Sequence, residues 1–129
     1  FRGDDGLDEI TLATTTSVLS IGGGTIESQR IEPADFGLSA APISALVGGD
    51  SQENARITRA IFNGELGAPR DAVLLNAAAA IAAFEGEISA DIHTRIAAGL
   101  KRAMDAVDSG KATQLLNEWA TLTQNLASN

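Results

Sequence analysis

Between Pro69 and Phe84 the chain carries a helical stretch with almost no polar face. Ala72-Val73-Leu74-Leu75-Asn76-Ala77-Ala78-Ala79-Ala80-Ile81 sets one asparagine among aliphatic residues. A helix that is apolar round most of its circumference has to be covered on several sides. Its small alanine surface lets other backbones come close, so it demands a sheet or other helices as neighbours. Pro69 suits the first helical turn, where a missing N–H leaves no bond unmade.

The residues before this helix read as strands. From Ile10 to Ile31 they are β-branched and alternating: Ile10, Leu12 and Thr14 share one parity, and Val18-Leu19-Ser20-Ile21 and Thr25-Ile26-Glu27-Ser28-Gln29-Arg30-Ile31 follow. Such runs fit strands better than helix. Gly22-Gly23-Gly24 supplies the positive φ angles of a tight turn, so Thr16–Ile21 and Thr25–Ile31 are expected to form a hairpin. Pro33 and Gly37 mark an exit loop over Glu32–Ala41.

Helices follow. Asp50 is placed to cap Ser51–Asn63, with Glu53 at the third helical position as a capping box requires, and Gly64 stops it. After the Pro69–Phe84 helix, Ser89 can cap a third one, in which Ile92, Ile96, Leu100, Ala103 and Val107 recur every three to four residues up to Gly110. A last helix, Ala112 to Leu126, repeats the pattern with Leu115, Leu116, Trp119, Leu122 and Leu126, a stripe that reads as core. A few strands including a hairpin, followed by about four helices, point to the closing part of a larger α/β sheet domain.

The 129 residues suffice for one domain or a piece of one, and no linker or repeat divides them. The formal charge of −8 opposes binding to phosphate backbones or anionic lipid. Without cysteine there is no disulfide framework and no thiol nucleophile, which suits a reducing cytoplasm. The longest apolar run, Ala77 to Phe84, is far below the roughly 20 residues of a membrane span. Phe1-Arg2-Gly3 has no initiator Met and leads straight into an acidic motif, as in a chain that continues upstream.

That motif, Asp4-Asp5-Gly6-Leu7-Asp8-Glu9, is the densest polar cluster, set at the mouth of an expected strand. Crowded carboxylates repel one another, and a hard dication with a taste for oxygen relieves the repulsion. Calcium of the EF-hand kind fails on spacing, because with Gly6 at loop position six the first, third and twelfth positions become Phe1, Gly3 and Leu12. Neighbours in an extended strand face opposite ways, so Asp8 and Glu9 can share one ion only if the chain bends, which Gly6 permits; otherwise each acts on a separate ion or through bridging water. On its own the run reads first as a solvated loop and second as a metal site. The lone His93 lies beside an apolar stripe without a nucleophile, and a structural or exposed role suits it. Trp119 falls on a leucine stripe and reads as core. Arg70 and Asn76 read as capping or hydrogen-bonded structural groups.

Taken together, the polar motifs resemble those of anthranilate phosphoribosyltransferases. Arg2-Gly3-Asp4-Asp5-Gly6-Leu7-Asp8-Glu9-Ile10-Thr11 resembles the Asp-Gly-Leu-Asp-Glu motif of that family. Pro33-Ala34-Asp35-Phe36-Gly37-Leu38, Gly48-Gly49-Asp50 with Glu53-Asn54-Ala55, Arg70-Asp71-Ala72-Val73-Leu74-Leu75-Asn76-Ala77-Ala78 and Asp105-Ala106-Val107-Asp108-Ser109-Gly110-Lys111-Ala112 follow in family order. The resemblance covers nearly the whole chain. It implies the C-terminal part, residues 1–129, of the large α/β domain of a phosphoribosyltransferase with the nucleoside phosphorylase-like fold, without the N-terminal helical domain and phosphate-loop segment.

It further implies that Asp8 and Glu9 bind Mg²⁺ with the pyrophosphate of phosphoribosyl pyrophosphate, while Asp5 orders the loop. The implied reaction transfers phosphoribosyl to anthranilate in tryptophan biosynthesis, in a cytoplasmic homodimer when the protein is complete. There are departures. Arg2 stands where many relatives have His, and the family's Gly-Thr-Gly-Gly-Asp loop, its Lys-His-Gly-Asn segment and the arginine associated with anthranilate are not in this sequence. Gly22-Gly23-Gly24-Thr25 and Gly48-Gly49-Asp50 only look like the phosphate loop; they read as a hairpin turn and a helix cap. The segment alone is expected to be inactive, with no catalytic or cofactor-binding residue assigned. A nucleic-acid-binding relative of the fold is opposed by the charge and by the Asp8-Glu9 pair, and a nucleoside phosphorylase by the Asp-Gly-Leu-Asp-Glu motif.

Overall fold

A computed structural model of the chain describes residues 1–86 and 90–128. In chain order these form β1 (Arg2–Gly3), β2 (Thr16–Gly22), β3 (Thr25–Ile31), 3₁₀ turns at Pro33–Phe36 and Ile43–Leu46, then α1 (Ser51–Phe62), α2 (Ala68–Glu85), α3 (Ile92–Asp108) and α4 (Lys111–Ala127). The class is α/β, strands first and helices after. The strands make one antiparallel sheet in the order β1-β2-β3.

The hairpin forms where expected. Gly23 and Gly24 have φ of 57° and 80°, and two successive positive φ angles give the two-residue turn whose twist matches that of its strands. Pairing runs from Gly22↔Thr25 to Thr16↔Ile31. Thr16, Val18 and Ile31 are buried on the inner face, and Leu19, Ile21 and Ile26 stand exposed on the outer one, as a period of two dictates.

The alternation of Ile10, Leu12 and Thr14 does not become a strand. Ile10 and Leu12 are buried and Thr14 is exposed, but the segment from Leu7 to Thr15 is irregular. Its backbone groups find other partners than a ladder. Thr11 N donates to Thr16 Oγ1 (3.2 Å), Ala13 N to Thr11 Oγ1 (2.9 Å), and Leu12 O accepts from Ala41 N (2.9 Å). Both backbone groups of Ile10 bond to the side chain of Asn76.

Helix α2 buries Arg70, Leu74, Leu75, Ala78, Ala79 and Ala82, while Val73, Ala80, Ala83 and Phe84 are exposed. It is covered on one broad side rather than all round, because no described residue lies against the other. Its chief neighbour is α3, whose Ile92, Ile96, Leu100, Ala103 and Val107 are all buried, as their spacing predicts. The axes come close at Gly99, where a Cβ would run into the carbonyl oxygen of Ala78, with Ala78 C at 3.0 Å and Cα at 3.1 Å. These helices and the inner sheet face share one core with Ile10 and Leu12.

Asp91 caps α3, accepting from His93 N and Thr94 N; Ser89, the expected cap, lies outside the described residues. Asp50 caps α1 through Gln52 N and Glu53 N. Only half of that capping box forms, because Glu53 turns to Arg56 instead of back to Asp50, in a bidentate pair of 2.9 and 2.8 Å.

The reading of Trp119 and its leucine stripe as core is corrected by α4. No residue of this helix is buried, and Leu115, Trp119, Leu122 and Leu126 are exposed, Trp119 by 64%. The helix is anchored near its start, where Ala112 meets the core and Thr113 Oγ1 donates to Phe62 O at 3.0 Å. Periodicity identified an apolar face correctly, but nothing among the described residues covers it.

Candidate functional site

The acidic loop leaves β1 and folds back on it, with Gly3 N donating to Leu7 O at 2.8 Å and Gly6 N to Gly3 O at 2.9 Å. Gly6, with φ of 101°, and bends at Asp8 and Glu9 give the departure from extended chain that a shared ion requires. Arg2 sits in β1 opposite Ser17.

The carboxylates divide into two pairs. Asp4 accepts from Thr15 Oγ1 (2.5 Å) and Ser17 Oγ (2.9 Å) and faces Arg30 Nε at 3.4 Å. The Thr15 hydroxyl first, then Ser17, holds its carboxyl below the ordinary value, with a smaller contribution from Arg30. Asp5 accepts from Thr11 Oγ1 at 2.6 Å and Leu7 N at 3.2 Å, and the Thr11 hydroxyl is the main reason its carboxyl is also lowered. Hydrogen bonds to a charged carboxylate favour that form. Both side chains therefore fasten the loop, the role expected of Asp5.

Asp8 and Glu9 are exposed and accept no hydrogen bond or ion pair among the described residues. They lie between two fixed points, Leu7, whose N–H is held by Asp5, and Ile10, whose backbone is held by Asn76. No three His, Asp or Glu side chains converge among the described residues. The pair thus offers two oxygen donors with no internal partner. That donor set suits Mg²⁺, which takes one or two carboxylates and completes its shell with water and phosphate oxygens.

The remaining candidates are structural. His93 stacks on Phe36 (centroids 6.1 Å apart, planes at 24°) and approaches Asp35 Oδ2 with Nε2 at 3.4 Å, joining α3 to the Pro33–Phe36 turn. Arg70, 5% exposed, pairs with Asp108 at 2.6 Å. Gly22-Gly23-Gly24 is the hairpin turn, and Gly48-Gly49-Asp50 is a turn and cap on which Asn54 folds back, bonding both backbone groups of Gly49 at 2.9 and 3.0 Å. A cleft of about 520 Å³ opens between the hairpin tip, α2 and the start of α3, lined by Val18, Ser20, Glu27, Ala82 and Arg95 among others. Neither Asp8 nor Glu9 lines it.

Sequence reasoning missed what Thr11, Asn54 and Asn76 bind. Asn76 left a visible signal, one amide in an otherwise aliphatic helix, where asparagine is a poor choice unless its side chain is used. Its partner, 66 residues away, left none.

Residues 1–113 match the model of a glycosyl transferase family, α/β domain. The chain is 46% identical over 126 residues to an anthranilate phosphoribosyltransferase of Rhodococcus jostii (strain RHA1), covering 98% of this chain and 35% of the relative. It is 49% identical over 127 residues to that of Mycolicibacterium smegmatis (strain ATCC 700084 / mc(2)155), covering 97% and 35%. Among solved structures, the Saccharomyces cerevisiae anthranilate phosphoribosyltransferase in complex with PRPP and Mg superposes with a TM-score of 0.73 at 27% identity, over 90% of this chain and 32% of that one. The chain thus spans about a third of the length of the relatives it matches.

Proposed function

The chain belongs to this glycosyl transferase family through its α/β domain, and from that premise we propose that it supplies the metal-binding segment of an anthranilate phosphoribosyltransferase. In this reading it is the C-terminal part of the transferase domain. The rest of the protein provides the phosphate loop and the anthranilate contacts, and the complete cytoplasmic enzyme is a homodimer. Phosphoribosyl pyrophosphate and anthranilate are the substrates, phosphoribosylanthranilate and pyrophosphate the products, in tryptophan biosynthesis.

The observation that carries the reading is the division of labour in the acidic loop. Asp4 and Asp5 are consumed by the hydroxyls of Thr11, Thr15 and Ser17, and Asp8 and Glu9 are left on a bend without a partner among the described residues. Those two would hold Mg²⁺. When bound, Mg²⁺ would offset the charge gathering on pyrophosphate as its bond to ribose C1 breaks and the anthranilate nitrogen bonds to that carbon. Asp8 and Glu9 supply the negative charge that localises the metal, and the loop anchors keep that charge in place before substrate arrives.

The test is the double variant Asp8→Ala, Glu9→Ala in the complete protein. Mg²⁺-dependent formation of phosphoribosylanthranilate should fall by at least about a hundredfold, the scale of losing a preorganised charge contact. Turnover equal to the parent protein would remove Asp8 and Glu9 from the role given to them.

A further inference from the structure

Asn76 is the one polar side chain in the aliphatic middle of α2, and three of its hydrogen-bonding positions are occupied. Its Oδ1 accepts from Ile10 N at 2.9 Å, and its Nδ2 donates to Ile10 O at 3.0 Å and to Ala72 O at 3.0 Å. The orientation of the amide is fixed by chemistry: Ile10 N–H needs an acceptor and Ile10 C=O needs a donor, and only one way round supplies both. Towards Ile10 the side chain behaves as a neighbouring strand would, exchanging both backbone bonds at one residue.

Ile10 directly follows Glu9, and its own side chain is 3% exposed, so this residue is held by its backbone and its packing alike. On the other side of the pair Asp5 binds Leu7 N, and beyond Ile10 it also binds the hydroxyl of Thr11. Asp8 and Glu9 occupy the short span between these anchors. Released from Asn76, Ile10 would keep its packing but lose both backbone bonds, and the two carboxylates beside it would sample a wider range of positions, fewer of which suit a common ion.

We infer that Asn76 is a positioning residue for the Asp8-Glu9 pair, acting through the backbone of Ile10 to set where the two carboxylates meet a divalent cation. The inference rests on the metal role proposed for that pair. It goes further in assigning the geometry of the site to a helix residue that touches neither metal nor substrate. Groups that orient metal ligands from behind are typically worth about 10- to 100-fold in metal affinity.

The experiment uses the full-length protein, with Mn²⁺ in the presence of inorganic pyrophosphate as the probe and free Mn²⁺ read by electron paramagnetic resonance. Asn76→Leu, similar in shape and unable to bond Ile10, should weaken Mn²⁺ by about tenfold or more with the number of sites per protein unchanged. Asn76→Asp keeps an acceptor for Ile10 N but faces Ile10 O with another oxygen, and should also weaken Mn²⁺; it carries the test if the leucine variant does not fold. Asn54→Leu breaks the equivalent clamp on Gly49, away from the acidic loop, and should leave Mn²⁺ affinity as it was. A purely structural role for Asn76 would lower the number of competent sites and leave their affinity alone, and that result overturns the proposal. So does unchanged affinity in Asn76→Leu when hydrogen exchange shows the Ile10 amide released. Unchanged Mn²⁺ affinity in Asp8→Asn, Glu9→Gln would instead overturn the metal reading beneath it.

Discussion

Adding one methyl group at Gly99 tests the packing that holds α2 in place. In a helix interior Gly→Ala ordinarily stabilises by about 1 kcal/mol, through lower backbone entropy in the unfolded chain. Here the new Cβ meets the carbonyl oxygen, carbonyl carbon and Cα of Ala78, and none of these is the free end of a flexible side chain. The helices must part, loosening contacts among Leu75, Ala78, Ile96 and Leu100, all in the shared core. Overpacking of this kind costs about 1–3 kcal/mol, and contact with backbone argues for the upper end. Offset by the propensity gain, the expected net loss is about 2 kcal/mol, or roughly a 1 M lower urea midpoint. Ala98→Gly, at an exposed position of the same helix, should cost about 1 kcal/mol from propensity alone and serves as the reference. A Gly99→Ala protein as stable as the parent, or more so, refutes the close approach. Because Ala78 lies two residues beyond Asn76, the same variant should also loosen the clamp on Ile10, visible as faster exchange of that amide.

Asp108→Ala should destabilise by about 2–3 kcal/mol in thermal or urea unfolding. It strands a guanidinium that is 5% exposed, though Asp108 itself is half solvated; Arg70→Met added to it should recover most of the loss. Asp4 and Asp5 have folded-state carboxyls lowered from 3.8 by their hydroxyl donors. Their contribution is therefore fully present above the unfolded value and lost as pH falls from about 4 through the lower folded value. Thr11→Val should flatten that acid limb of stability against pH, and an unchanged limb would count against the Thr11–Asp5 bond. Trp119, the only tryptophan, should in this chain emit at long wavelength and be quenched freely by acrylamide; blue-shifted, protected emission would contradict its exposure.

What could be read from the sequence was local. The Gly22-Gly23-Gly24 turn and the Ile92 to Val107 stripe are set by backbone freedom and side-chain period, and both formed as expected. The shared parity of Ile10, Leu12 and Thr14 suggests a strand, but Ile10, Thr11 and Leu12 are buried in succession, and side chains and loops rather than a ladder satisfy their backbone. On α4 the period revealed an apolar face and could not reveal a neighbour. In the acidic loop, the bend was foreseeable from Gly6, and a loop-ordering role for Asp5 came from the family resemblance. The sharing of work between the two carboxylate pairs depends on hydroxyls at Thr11, Thr15 and Ser17 that only the folded chain brings round.

The two-residue hairpin turn also acts at a distance, as a gauge for the acidic loop. Asp4 reads both strands of the hairpin at once, taking Ser17 from β2 and Arg30 from β3, which are partners in the same register. A one-residue slip would turn Arg30 to the inner face and Ile31 outward. Turns are ordinarily where length changes are best tolerated. At Gly23-Gly24 an insertion that only lengthens the tip can be absorbed, but deletion of either glycine shifts β3 against β2 and withdraws Arg30 from Asp4. Length at this turn is thereby tied to the placement of a loop at the far end of the strands.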